Sequence, residues 1–96
     1  MNHNLEFGKF IQKKRKEKNF TLKHVADKLE MDLSMLSKIE NGERQMQGHM
    51  LKPLADLFNL PFKEIQMKYL YNKIQDEYGA EPYLRETLVN ILEEKR

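Results

Sequence analysis

Ninety-six residues with 40% hydrophobic and 33% charged side chains provide for one compact domain and are too few for two. The absence of cysteine excludes a disulfide framework and a thiolate metal site, and no apolar run approaches the ~18 residues of a membrane span. A net charge of +2 does not by itself call for a polyanionic partner, and the N-terminal MNHNLEFGKF lacks a signal peptide's apolar core, so the cytoplasm is the expected location.

The charge is unevenly spread. Residues 1–58 hold 11 Lys/Arg against 8 Asp/Glu, residues 59–96 hold 6 against 7, and Lys13, Lys14, Arg15, Lys16 and Lys18 crowd the end of the first predicted helix. That helix is expected from about Leu5 to Lys18, with Phe7, Phe10 and Ile11 giving the i, i+3, i+4 pattern of a core stripe. Asn19-Phe20 breaks it. Thr21 then has the chemistry of an N-cap for a second helix, Leu22 to Leu29, whose inward stripe is Leu22, Val25, Ala26 and Leu29. After a tight turn at Glu30-Met31, Asp32 is expected to cap a third helix from Leu33 to Asn41, with Gly42 as its stop.

A polar loop, Glu43 to Gln47, leads to a fourth helix from Gly48 to Phe58, with Leu51, Leu54, Ala55 and Phe58 inward; Pro53 should kink or shorten it. Asn59 is the expected C-cap, and Pro61 suits the start of a fifth helix running to Tyr78. Gly79 to Pro82 interrupt, and a sixth helix follows from Tyr83 to Lys95. No strand-like alternation or repeat is present, so the fold class is all-α: a five-helix unit over 1–66 with a C-terminal helical extension over 67–96.

The third helix has two unlike sides. With Leu36 as reference and about 100° per residue, Ile39 and Glu40 fall within about 60° of it, whereas Ser34, Ser37, Lys38 and Asn41 fall between about 100° and 200°. Leu33 sits on the border in the first turn. Hydroxyls donate and accept, lysine donates to guanine O6 and N7 or to phosphate, and leucine meets a thymine methyl, so this outward edge is suited to a major groove ~12 Å wide. A solvated face is the bland alternative, and it weakens because the second and third helices, joined by about three residues, have helix-turn-helix spacing.

Residues 7–65, through the run TLKHVADKLEMDLSMLSKIENGER and the later LKPLADLFNLPFKEI, resemble the phage-repressor/Cro-type helix-turn-helix family, often called XRE. Ala26, Leu36, Ile39 and the closing Ile-Glu-Asn-Gly at 39–42 carry the likeness. The resemblance implies base contacts from Leu33, Ser34, Ser37 and Lys38, and phosphate contacts from Thr21, Leu22, Asn41, Arg44 and Gln45, to which the basic end of the first helix adds Lys14. It also implies an ion pair between Arg15 and Glu40, in keeping with Glu40's inward position. Two positions depart from the family pattern. Glu30 stands where many members have glycine, which predicts an altered φ or modest strain, and Pro53 replaces a helix-compatible residue.

The fifth helix shows two apolar faces. Phe62, Ile65 and Tyr69 are expected to cover the core, while Met67, Leu70, Tyr71, Ile74 and Tyr78 lie opposite and need a cover. The sixth offers an amphipathic stripe of Leu84, Leu88, Ile91 and Leu92, and a helix of ~13 residues is marginal alone in water. A homodimer built on Leu70, Ile74, Leu84, Leu88, Ile91 and Leu92 is favoured over packing within one chain. Two recognition helices about 34 Å apart would then read successive major-groove faces of a palindromic double-stranded DNA site.

His3, His24 and His49 lack metal-ligand spacing, no glycine-rich phosphate loop occurs, and no carboxylate pair or triad is recognisable, so neither a cofactor, a metal nor an enzyme is expected. The leading expectation is a sequence-specific transcriptional regulator. Its compact outline resembles restriction-modification controllers, although small repressors share it. The alternative is an antitoxin-like or adaptor protein whose C-terminal helices clasp a partner protein.

Overall fold

The computed structural model describes residues 3–95 as six α-helices and one 3-10 turn, with no strand among them. They are α1 (His3–Glu17), α2 (Leu22–Lys28), α3 (Leu33–Glu40), the turn Gly48–Met50, α4 (Leu51–Phe58), α5 (Phe62–Tyr78) and α6 (Leu84–Glu94).

One device ends each of the first four helices. The non-glycine residues with positive φ are Asn19 (58°), Glu30 (53°) and Asn59 (55°), joined by Gly42 (78°). Each is the left-handed residue of a Schellman close, in which its own N–H and that of the next residue bond back into the last turn. The paired bonds are Asn19 to Lys16 and Phe20 to Arg15, Glu30 to Asp27 and Met31 to Ala26, Gly42 to Ile39 and Glu43 to Lys38, and Asn59 to Asp56 and Leu60 to Ala55. After α1, α2 and α4 the next residue is apolar, and Phe20, Met31 and Leu60 all pack on the core. After α3 it is the exposed Glu43, so this turn lacks an apolar contact with the core.

Helix starts differ from expectation in two places. Thr21 caps α2, its Oγ1 accepting the His24 N–H at 3.0 Å, but Asp32 occupies the N-cap position of α3 without a side-chain capping bond. The helix expected from Gly48 begins as a 3-10 turn and becomes α-helical only at Leu51. Pro53 therefore stands in the first α-turn, where backbone N–H groups lack α-helical partners and a missing donor costs little.

The core is built from Phe7 and Ile11 of α1, Val25 and Ala26 of α2, Leu36 and Ile39 of α3, Leu51, Leu54, Ala55 and Phe58 of α4, and Ile65 and Tyr69 of α5. Met46 joins them almost completely buried, so the loop expected to be polar is pinned by one apolar side chain. Phe62, expected to cover the core, is instead 36% exposed at the start of α5. Gly8 is buried where α1 crosses the last turn of α3, and a Cβ there would come within 2.5 Å of the Glu40 carbonyl oxygen.

α5 runs unbroken through residues 66 and 67, and its Tyr69 and Asn72 are buried. Beyond them the chain departs from the core. No residue of α6 is buried. The radius of gyration is 14.8 Å, against about 12–13 Å for a compact chain of this length, which reflects that projecting C-terminal arm.

Candidate nucleic-acid interface

α3 is held from behind and left open in front. Leu36 and Ile39 are buried, and so is Glu40, at 4% exposure. The Glu40 carboxylate accepts from Arg15 Nε at 2.8 Å and from Nη2 at 3.0 Å, a bidentate clamp between α1 and α3. The third guanidinium nitrogen, Nη1, donates to the Phe20 carbonyl at 3.0 Å and so ties in the α1–α2 corner. The hydrogen bond to Glu40 holds the Arg15 guanidinium above its ordinary pKa, with the Glu40 charge adding to it, against the opposing effect of burial.

On the opposite side Ser34, Lys38 and Asn41 are exposed, Ser37 is half-buried, and Leu33 is 45% exposed in the first turn. The structure brings all four residues expected to meet bases onto one accessible edge of a short helix. Met35, which sequence reasoning did not single out, is exposed on the flank of that edge.

The residues expected at phosphates form a looser set. Thr21 is exposed, and its hydroxyl, although it accepts a capping bond, keeps its own O–H as a donor. Leu22 beside it is half-buried and packs on the core, leaving its backbone as the polar part. Arg44 is exposed and Gln45 half-buried in the loop after α3. Lys14 is the most engaged of the set: its ammonium lies 3.5 Å from the Glu17 carboxylate and 5.8 Å from the Phe10 ring centre. Among the described residues neither Lys38 nor Arg44 enters an ion pair.

Two functional features escaped the sequence reasoning. Gly8 lies on the inward stripe, three residues before Ile11, and its lack of a side chain lets α1 lie against α3. Asn72 follows Ile65 and Tyr69 at i+7 and i+3, a polar residue on an apolar stripe, and is 7% exposed. Among the described residues no group of His, Asp and Glu is arranged to hold a metal ion, and no helix is long and apolar enough to cross a membrane.

The solved structures include a relative in fold: the crystal structure of the clp gene regulator ClgR from Corynebacterium glutamicum. It superposes with a TM-score of 0.62 at 16% sequence identity, over 100% of this chain and 95% of that one. At that identity the likeness speaks for the fold. No curated protein sequence matches the chain. A helix-turn-helix family model matches residues 11–65, more than half of the chain and the whole stretch from mid-α1 into α5. The chain belongs to the helix-turn-helix family of DNA-binding proteins, in its phage-repressor/Cro (XRE) branch.

Proposed function

We propose that this protein is a transcriptional regulator that binds a palindromic operator as a homodimer, with α3 in the major groove. The observation that carries the proposal is the division of α3. Its buried side is clamped by Arg15, while its open side offers two hydroxyls, one ammonium and one leucine tip over about one and a half turns. Leu33, Ser34, Ser37 and Lys38 would discriminate among bases; Thr21, Leu22, Asn41, Arg44, Gln45 and Lys14 would set register on the backbone and make affinity salt-sensitive. In vitro selection from random duplexes tests this directly. The expected product is an inverted repeat with half-sites about one helical turn apart, and enrichment of no sequence would overturn the proposal.

Dimerisation is assigned to the C-terminal arm. Leu70, Leu88, Ile91 and Leu92 are exposed, Ile74 and Leu84 half-buried, and Tyr78 and Tyr83 extend the same apolar surface. An 11-residue helix with no fully buried residue on its own chain is marginal alone and gains from a further cover. A second copy is always at hand, and a two-fold arrangement would match a palindromic site.

The same uncovered surface favours the second reading, a partner-binding adaptor or antitoxin-like protein. A stoichiometric unrelated protein copurifying through α6, with no operator selected, would decide for it. Restriction-modification controllers and compact repressors would share this apparatus, and neighbouring genes separate the two.

A further inference from the structure

Beside the loop that follows α3 lies a small notch whose polar lining is Asn4 of α1, Arg44 and Gln45 of the loop, and Asn72 and Lys73 of α5, on a wall completed by the apolar Phe7 and Met46 and the Tyr69 ring. Its free volume is about 10 Å³, room for a single oxygen-sized group. No carboxylate lines it. Arg44 has no ion-pair partner among the described residues, and the Lys73 ammonium is held at the rim, 5.7 Å from the centre of the Tyr69 ring. Asn72 is 7% exposed and its amide makes no hydrogen bond with another described residue, yet it is not among the side-chain polar atoms sealed from solvent without a partner, so the amide still reaches the surface. An amide held by a nearly buried side chain, with its donors unbonded and open to the surface, can give a hydrogen bond to a partner from outside.

We propose that this notch takes one phosphate oxygen of the DNA backbone, with Asn72 donating from its floor and Arg44 and Lys73 neutralising the charge at its rim. The inference rests on the DNA-binding function proposed above and extends the footprint from the α3 loop to the first turn of α1 and to α5. Two cations, neutral amides and no acid select an anion over a cation. Continuity with the reading edge supports the backbone as its source: Arg44 is three residues past Asn41, and a Cβ on Gly42 would lie 2.7 Å from the Leu5 Cα, so the end of α3 and the start of α1 are one surface.

The test follows the Asn72 side-chain amide signal by NMR in the full chain, with the α3 signals of Ser34 and Ser37 as internal controls. Addition of a mixed-sequence duplex should move both sets. Lys73→Gln should lower the salt slope of binding by about 1 and weaken binding on the order of tenfold at ~0.1 M salt, equally on cognate and random DNA. Sedimentation should show an unchanged oligomeric state. A duplex that moves the α3 signals while leaving Asn72 in place, with Lys73→Gln binding like the parent, overturns the notch and spares the DNA-binding function. If the α3 signals do not move either, both fall. Inorganic phosphate alone serves as the control for a free-anion site: should it move Asn72 where the duplex does not, the assignment to the DNA backbone is overturned.

Discussion

Arg15 and Glu40, 25 positions apart, meet through two parallel hydrogen bonds of 2.8 and 3.0 Å, with only 12% and 3% of their side-chain surfaces exposed. The clamp fixes the rear of α3 against α1, so the tilt of the exposed edge of α3 depends on a pair on its buried side. Removing Arg15 leaves a buried carboxylate and takes the donor from the Phe20 carbonyl. Arg15→Ala is expected to cost about 3–5 kcal/mol in urea unfolding. Replacing both partners by apolar residues, Arg15→Met with Glu40→Leu, should recover most of that loss. Equal instability of the double variant would show that the clamp matters through something other than an orphaned charge.

A second constraint on α3 is steric. Gly8→Ala adds a methyl against the backbone carbonyls of Ile39 and Glu40, which cannot rotate away as a side-chain end would. Alanine gains about 1 kcal/mol of helix propensity over glycine, whereas overpacking against backbone costs at least the ~1–3 kcal/mol typical of crowded cores. The steric cost should win, giving a lower urea midpoint and weaker operator binding. A stabilised variant would mean that α1 shifts freely and that the close approach is incidental.

Glu30 holds a conformation that the other three helix ends give to glycine or asparagine. Left-handed backbone costs a non-glycine residue about 1–2 kcal/mol, and glycine gives back roughly 0.5–1 kcal/mol through its more flexible unfolded chain. Glu30→Gly should therefore stabilise by about 0.5–1 kcal/mol, while Glu30→Ala, still strained, should not. The α2–α3 turn is exposed at this point, so no packing is lost in either variant. Calorimetry on the pair separates backbone strain from side-chain effects.

How much of this was legible beforehand depended on how local the cause was. Helix positions and the cap at Asn59 follow from residue chemistry within four or five positions, and the two-sided character of α3 follows from its period. At Glu30, where the family resemblance predicts an altered φ or modest strain, the φ of 53° keeps the left-handed turn that a glycine would make, which leaves the strain. Three features were not local. Met46 reads as part of a polar loop because its partners come from distant helices. Phe62 has the right phase for the core but stands at the very start of α5, where little surrounds it. Pro53 reads as a helix breaker because the sequence does not show where the 3-10 turn hands over to α4. Gly8 and Asn72 left fainter signals, a missing side chain and a polar one on otherwise apolar stripes.

Lys38 carries a prediction about discrimination. It is exposed, unpaired and on the reading edge, so Lys38→Ala should cost about 1–3 kcal/mol on the selected operator if its ammonium meets a guanine. The loss on random DNA should be much smaller. Equal losses on both, measured by anisotropy across a salt series, would reassign Lys38 to the backbone and leave Ser34, Ser37 and Leu33 to read sequence.

The C-terminal arm gives a prediction in which stability reports assembly. Leu88 and Ile91 lie outside the core cluster, at 37% and 45% exposure, so Leu88→Asp with Ile91→Asp should spare the five-helix core. If α6 pairs with a second copy, the parent's melting temperature rises with protein concentration, because association stabilises only the folded state. The double variant should melt at a temperature independent of concentration and sediment as a single 11.6 kDa species. Operator affinity should fall by far more than random-DNA affinity, since each α3 would then bind its half-site alone. A parent protein that is already monomeric at micromolar concentration would remove the dimer and turn the apolar arm over to a different protein partner.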